Sequence, residues 1–255
     1  MLLLCLLLLL PRGAGAAGVE VAVPGPGVTL RALLFRPPAG APPGRAAVIA
    51  LHACGGIGGA DEPIRLFRSE QAWTDLLLSA GHPVIWPDSF GSRGLAAECG
   101  HSWSRPEGAR TIRPADAAAT LAWVTAQPWA APGGVILMGW SHGAMGMLGM
   151  LPGAPPGSVR GAIGFYAGCR DTAAMGPPAG PVLLLLGEAD NFGGWRACLG
   201  LPHRHPGMIR TVVYPGAHHA FDMAEDDPAD RAATAAAARE VTTFLAAHGG
   251  PAGTR

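Results

Sequence analysis

The stretch Val135-Ile136-Leu137-Met138-Gly139-Trp140-Ser141-His142-Gly143-Ala144 (VILMGWSHGA) joins an apolar run to a serine that lies between two glycines. The apolar run predicts a buried strand, and the residues from His142 to Met150 predict a helix. A serine on a sharp strand-to-helix turn is held in a strained conformation that projects its hydroxyl outward. The flanking glycines leave room for the neighbouring strand and helix. The stretch therefore predicts a nucleophile elbow at Ser141, and the alternative is an ordinary glycine-rich corner.

Working outward, the rest of the chain alternates strand-like and helix-like segments. Strands are predicted at 19–23, 29–35, 46–51, 182–186 and 209–214, and helices at 116–127 and 228–247. Continuous apolar runs such as 46–51 are typical of strands that are buried on both faces. Alternation of this kind predicts an α/β fold: one domain over residues 18–250, with a mostly parallel central sheet and helices on both faces.

Two later strand ends carry residues that could complete a catalytic triad with Ser141. The strand at 182–186 is followed by Glu188 and Asp190, and the strand at 209–214 by His218 and His219. Such sheets place their working loops at the carboxyl ends of the strands. A serine hydroxyl needs an adjacent base that a third group orients, in the order Ser, Asp or Glu, His. The residues fit this order, and the choice within each pair stays open.

An oxyanion hole requires two backbone N–H groups aimed at the negative charge that develops during attack on a carbonyl. One is expected from His142, directly after the serine. The other is expected from the loop after the strand at 46–51, which reads His52-Ala53-Cys54-Gly55-Gly56. Cys54 or its neighbour is therefore the second candidate donor.

Composition and charge exclude several classes of function. The formal net charge is +0, every basic residue is an arginine, and the arginines are scattered, whereas a nucleic-acid surface needs a basic stripe. We therefore expect no nucleic-acid partner. No cluster of histidines and cysteines has the spacing of a metal site, so neither a metal nor an organic cofactor is implied.

The N-terminus predicts export. Residues 2–10 are all leucine except Cys5, and small residues follow at 13–17. Nine apolar residues are too few to span a bilayer, which needs about 20. The pattern is typical of a signal peptide over residues 1–17, and hence of a periplasmic or secreted protein without a stable membrane anchor. The alternative is an uncleaved N-terminal anchor.

Taken together, the motifs resemble those of the dienelactone hydrolase family, within the α/β-hydrolase fold. The resemblance rests on five segments: HACGG at 52–56, PDSFGSRG at 87–94, GWSHG at 139–143, GEAD at 187–190 and YPGAHHAF at 214–221. It implies His219 rather than His218 as the catalytic base, Asp190 rather than Glu188 as the acid, and Cys54 as the first oxyanion donor.

One departure from the family concerns the nucleophile. The founding enzymes use cysteine, whereas this chain has Ser141, as is usual in the broader family that hydrolyses varied esters. The fold and the reaction are therefore implied, but the dienelactone substrate is not. The founding enzymes hold their substrate carboxylate with arginines, and Arg93 is the nearest candidate here, with Arg113 weaker. The alternative for Arg93 is a salt bridge within its own loop.

Four cysteines remain outside the proposed signal peptide, an even number that permits two disulfides in an exported protein. In this fold the strands that precede Cys54 and Cys99 are neighbours, and so are those that precede Cys169 and Cys198. Neighbouring strands lie about 4.8 Å apart, close to the Cα separation of roughly 5.5 Å that a disulfide needs. We therefore expect Cys54–Cys99 and Cys169–Cys198.

The sequence as a whole indicates a hydrolase that cleaves a small-molecule carboxylic ester through an acyl-enzyme on Ser141. A peptidase or acyltransferase could use the same triad. A catalytically silent binding protein on the same scaffold is the alternative of another class.

Overall fold

The computed structural model describes residues 17–59, 62–95, 97–99, 109–170, 176–192 and 194–251. The proposed signal peptide lies outside these ranges except for Ala17. The strands are β1 (Val19–Gly25), β2 (Val28–Phe35), β3 (Val48–Leu51), β4 (Val84–Pro87), β5 (Val135–Trp140), β6 (Val159–Phe165), β7 (Val182–Gly187) and β8 (Ile209–Tyr214). The α-helices are α1 (Arg68–Ser79), α2 (Ala109–Thr125), α3 (His142–Met150), α4 (Leu201–Arg204) and α5 (Pro228–His248).

The eight strands form one sheet in the order β1-β2-β4-β3-β5-β6-β7-β8. The pairs β1–β2 and β2–β4 are antiparallel, and every later pair is parallel. The mostly parallel α/β sheet predicted from the sequence is therefore confirmed. Because the strands from β3 onward run in the same direction, the loops after β5, β7 and β8 meet at one edge of the sheet.

Alternate residues of the strands pack into two separate cores, one on each face of the sheet. Leu137 of β5 belongs to the core covered by α2 and α3. Its neighbours Ile136 and Met138 belong to the core covered by α1 and α5. A strand between two cores has no polar face, which explains its continuous apolar run. The face of α5 that carries Ala237, Val241, Phe244 and Leu245 is buried.

One helix differs from the sequence-based expectation, and one expected disulfide is present. The helix expected at 116–127 is α2, which begins at Ala109 and contains Pro114. The expected start at 116 is therefore too late, since a proline usually lies at the first position of a helix and not, as here, inside it. The expected disulfide Cys169–Cys198 is present beyond the ends of β6 and β7, with a Cα–Cα distance of 5.0 Å. Among the described helices, none has the length and apolar character required to cross a membrane.

Candidate active site

Ser141 occupies a strained turn between β5 and α3. Its backbone torsions are φ 50° and ψ −110°, a region that L-residues rarely adopt. A Cβ on Gly143 would lie 2.0 Å from the carbonyl oxygen of Leu51, and a Cβ on Gly139 would lie 2.7 Å from the backbone nitrogen of Ala144. Any side chain at either glycine would therefore push the helix away from the sheet. The two glycines permit the close approach that holds the serine hydroxyl at the end of the strand.

Three side chains from three strand ends meet at this turn. Ser141 Oγ lies 2.9 Å from His219 Nε2, and His219 Nδ1 lies 2.7 Å from Asp190 Oδ2. Asp190 Oδ1 accepts a further hydrogen bond from the backbone N–H of Phe192 at 2.9 Å. The side chain of Asp190 is 3% exposed and that of His219 is 16% exposed, so the carboxylate end of this chain of hydrogen bonds is shielded from solvent. Such an arrangement can move a proton from the serine hydroxyl to the imidazole.

Glu188 and His218, the alternatives that spacing left open, lie apart from the serine. Glu188 Oε2 accepts a hydrogen bond from the backbone N–H of Gly216 at 3.2 Å. The side chain of His218 is 54% exposed, and its Nδ1 lies 3.3 Å from Asp230. The structure therefore brings Asp190 and His219, the two residues that the family resemblance implied, together with Ser141.

Two aromatic rings flank His219. The ring of Phe192 stacks on the imidazole with a centroid distance of 4.6 Å, and that of Tyr166 lies 4.8 Å away at an angle. Tyr166 follows β6 and has a φ of 38°, an unusual value for a residue other than glycine. Phe192 is 73% exposed, so the mouth of the site carries a large apolar side chain. The two rings restrict the imidazole to the orientation that its hydrogen bonds define.

Asp222 connects the parts of the site through three hydrogen bonds. Its Oδ2 accepts the indole N–H groups of Trp73 at 2.8 Å and Trp140 at 3.0 Å, and its Oδ1 accepts the hydroxyl of Tyr166 at 2.8 Å. Trp140 directly precedes the serine, and Tyr166 packs against His219. Burial raises the pKa of Asp222, and the three donors oppose that rise. Sequence analysis missed this residue because its donors come from α1, β5 and the end of β6.

The loop after β3 forms one wall of the site. Cys54 lies in this wall and forms the expected disulfide with Cys99, with a Cα–Cα distance of 4.8 Å. The carbonyl oxygen of Cys54 also accepts a hydrogen bond from the backbone N–H of Glu98 at 2.7 Å. The disulfide and the hydrogen bond both restrain the backbone at Cys54. His142, the other expected oxyanion donor, is the first residue of α3.

Arg113 and His52 support this loop from inside the protein. Arg113 is fully buried; its Nη1 donates to His52 Nε2 at 2.8 Å, and its Nη2 donates to the carbonyl oxygen of His52. Burial and the nearby guanidinium hold the pKa of His52 well below its ordinary value, so its ring is neutral. Burial lowers the pKa of Arg113 to about 10, which leaves it charged near neutral pH. Arg113 is therefore a buried support of the loop.

A cavity of about 190 Å³ opens beside the serine, with mostly apolar walls. It is lined by Ala53, Cys54, Gly55, Phe67, Ser69, Glu70, Cys99, Trp140, Ser141, Tyr166, His219, Ala220 and Met223. Glu70 Oε2 accepts the backbone N–H of Phe67 at 2.8 Å, and burial raises the pKa of this carboxyl to about 8. Glu70 is thus mostly protonated at neutral pH, and no arginine is among the described residues of the lining. Glu70 had escaped sequence analysis, since a glutamate in the first turn of a helix is ordinary.

A protein-family model matches most of the chain. The model of the dienelactone hydrolase family matches residues 30–249, a span that includes Ser141, Asp190 and His219. The chain belongs to the dienelactone hydrolase family. No curated protein matches it in sequence.

Solved structures of α/β hydrolases share the fold. A protein of Klebsiella pneumoniae subsp. pneumoniae, described as a candidate dienelactone hydrolase, has 17% identity and a TM-score of 0.72, covering 91% of this chain and 99% of its own. Dienelactone hydrolase from Anabaena variabilis has 17% identity and a TM-score of 0.66, with coverages of 93% and 100%. A cold-adapted esterase from an Arctic intertidal metagenomic library has 18% identity and a TM-score of 0.66, with coverages of 94% and 97%. At these identities the likeness concerns the fold alone.

Arg93 was the candidate for the substrate-binding arginine of the dienelactone hydrolase family. Its guanidinium donates to both carboxylate oxygens of Asp116, at 2.8 and 2.7 Å, and to the carbonyl oxygen of Ser89 at 2.7 Å. Asp116 belongs to α2 and is fully buried, so the salt bridge reaches beyond the loop of Arg93 itself. Arg93 is not among the described residues that line the cavity beside Ser141. Arg93 therefore links its own loop to α2.

Replacing Arg93 with alanine is expected to lower stability by about 3 kcal/mol, because it leaves the buried carboxylate of Asp116 without its partner. Thermal unfolding should show a lower Tm, while kcat/KM of the folded enzyme changes equally for acidic and neutral esters. Arg210→Ala breaks a more exposed pair with Glu240 and should change Tm little. A selective loss on acidic esters with an unchanged Tm would instead identify Arg93 as a substrate-binding residue.

One histidine and two aspartates have the spacing of metal ligands. His218, Asp227 and Asp230 place ligand atoms within 4.8 Å of one another. Asp227, however, caps α5 by accepting the N–H groups of Ala229 and Asp230, and Asp230 accepts hydrogen bonds from His218. These side chains already have protein partners, so we assign no metal site to them.

Proposed function

We propose that the chain is a serine esterase that cleaves carboxylic esters through an acyl-enzyme on Ser141. The observation that carries the proposal is the continuous set of hydrogen bonds from Ser141 to His219 to Asp190, which ends beside an apolar cavity. Membership in a hydrolase family gives independent support.

In the first half of the proposed reaction, Ser141 Oγ attacks the ester carbonyl carbon and its proton moves to His219 Nε2. Because His219 Nδ1 faces Asp190, its proton stays there, and Nε2 is the nitrogen that can accept one. The tetrahedral intermediate then collapses, the bond to the alcohol oxygen breaks, and His219 gives its proton to the departing alcohol. Asp190 stabilises the charged imidazole between these two steps.

In the second half, a water molecule attacks the acyl group on Ser141 while His219 takes one of its protons. The carboxylic acid leaves, and the proton returns to the serine oxygen.

In both halves of the reaction we assign the stabilisation of the oxyanion to the backbone N–H groups of Cys54 and His142. The position of His142 at the N-terminus of α3 supports this assignment, since that end of a helix carries partial positive charge.

The proposed substrates are neutral esters. The described walls of the cavity contain no cation that could pair with a substrate carboxylate, and their one carboxyl group, Glu70, has a pKa of about 8. A charged group enters an apolar cavity without a partner only at a large cost in free energy. The esterase from the Arctic metagenomic library, which has the same fold, is compatible with this choice of reaction.

We also propose that the protein works outside the cytoplasm, in the periplasm or as a secreted enzyme. Its two disulfides support this location, because disulfides persist mainly in oxidising compartments. The apolar segment at 2–10 supports it as well.

The decisive experiment is labelling with a fluorophosphonate probe, followed by mass spectrometry of the peptide that contains Ser141. We expect stoichiometric labelling of Ser141, loss of labelling in Ser141→Ala, and hydrolysis of p-nitrophenyl butanoate that stops as the label accumulates. A folded wild-type protein that neither takes the label nor hydrolyses the ester would be a binding protein. Faster cleavage of peptide amides than of esters would make it a peptidase, and acyl transfer to added alcohols in preference to water would make it an acyltransferase.

A further inference from the structure

A second cavity adjoins the first one. It has a volume of about 680 Å³, lies between α1 and α5, and shares Phe67, Ser69 and Met223 with the cavity beside Ser141. Phe67 is 49% exposed and Met223 is 50% exposed. Two large apolar side chains therefore stand, half in solvent, where the cavities join. Clustered exposed apolar side chains mark binding surfaces in soluble proteins.

The walls of this second cavity, which we call the α1–α5 groove, are largely apolar. Its space exists because small residues face it: Ala72 from α1, and Ala235 and Ala238 from α5. The charged side chains of its lining have partners within the protein: Arg68 lies 2.9 Å from Glu225, Arg231 donates to the backbone carbonyl oxygen of Glu225, and Asp222 accepts its three hydrogen bonds. The groove therefore offers a strip of small apolar side chains that leads away from the catalytic serine.

We propose that the α1–α5 groove is a subsite for a long apolar chain of the ester substrate, which crosses Phe67 and Met223 on its way from Ser141. The inference rests on the proposed esterase function. Continuity with the cavity beside the serine selects a substrate chain as the occupant, and the apolar walls select a hydrocarbon. The cavity of about 190 Å³ holds the reacting end of the ester, and the groove of about 680 Å³ holds the extension.

The first test is a chain-length series measured below the micelle concentration of each ester. One series lengthens the acyl chain of p-nitrophenyl esters from butanoate to decanoate, and the other lengthens the alcohol of alkyl acetates. A fully buried methylene favours binding about fourfold, so a methylene covered on one side by an open groove should contribute about twofold. We expect kcat/KM to rise roughly 60-fold over six methylenes in one of the two series.

The second test fills the groove. Ala235→Trp places a large ring among the groove residues without touching Ser141, His219 or the cavity beside them. It should reduce the ratio of kcat/KM for the longest ester to kcat/KM for the shortest ester at least tenfold, and leave butanoate hydrolysis unchanged. Ala232→Trp is the matched control, because Ala232 is an exposed alanine of the same helix that does not line the groove.

Three results would overturn the subsite: no increase with chain length in either series, an increase that Ala235→Trp leaves intact, or equal losses in Ala235→Trp and Ala232→Trp. A change of oligomeric state in Ala235→Trp, measured by light scattering with chain-length preference unaltered, would make the groove a contact between copies of the chain instead. Failure of the wild type to hydrolyse butanoate or to take the fluorophosphonate label would reject the esterase function itself, and the subsite with it.

Discussion

Ser141→Ala and His219→Ala are each expected to reduce kcat for ester hydrolysis by about 10⁴-fold or more. The proposed nucleophile and base act as one unit, since the serine is reactive only while its proton passes to the imidazole 2.9 Å away. The double variant should lose little more than either single variant, because removing either partner already stops the reaction. Steady-state kinetics with p-nitrophenyl butanoate measure these losses, and circular dichroism establishes that the variants are folded.

His218→Ala is the matched control for the proposed base. His218 neighbours His219 in sequence, but its exposed side chain pairs with Asp230 and does not reach the serine. It should retain most of the activity of the wild type. An inactive His218→Ala together with an active His219→Ala would show that the base has been assigned to the wrong histidine.

Asp222→Ala is expected to lower kcat by about 100-fold. Asp222 holds Trp140, next to the serine, and Tyr166, which packs against His219. Without it the imidazole and the serine lose a shared support, and a displacement of about 1 Å between reacting groups can cost 10²-fold in rate. The indole and hydroxyl donors also lose their acceptor, which should lower stability by about 2 kcal/mol. Kinetics and thermal unfolding on the same preparation measure both effects.

Asp222→Asn separates a role in positioning from a role of the negative charge. The asparagine oxygen can accept both indole N–H groups, and its amide can donate to the oxygen of Tyr166, so all three contacts can persist. A positioning residue should therefore keep kcat within about fivefold of the wild type as asparagine. If asparagine is as damaging as alanine, the charge matters and the assignment is wrong. If the loss in Asp222→Ala merely follows the unfolded fraction, the residue is only structural.

Local patterns in the sequence were enough to predict the fold and the serine turn. The apolar run at 135–138 indicates a buried strand, and the glycines at 139 and 143 indicate positions where the neighbouring backbone leaves no room for a side chain. Both are local effects that involve only a few residues. The structure shows the lack of room directly, as a Cβ on Gly143 would lie 2.0 Å from Leu51. Strand order likewise predicted both disulfides, because neighbouring parallel strands bring the loops at their carboxyl ends together.

The choice between neighbouring residues of the same type needed the three-dimensional contacts. The two members of each pair, Glu188 and Asp190 or His218 and His219, follow their strand at nearly equal distances along the chain. Their spacing in the sequence therefore left the choice within each pair open. A difference of one or two residues on a turn reverses the direction of a side chain, and only the folded backbone decides which one reaches Ser141. Arg93 illustrates the same limit, because its partner Asp116 belongs to a distant helix.

By itself, the sequence determined the α/β architecture, the position of the strained serine and the edge of the sheet where the site lies, because periodicity and glycine spacing encode backbone packing locally. The tertiary structure alone decided the role of Asp222, the burial of Glu70 and the groove between α1 and α5. Each of these depends on side chains from elements far apart in the chain. Asp222 accepts three hydrogen bonds only because folding brings its three donors together. Glu70 has a raised pKa only because folding buries its carboxyl group.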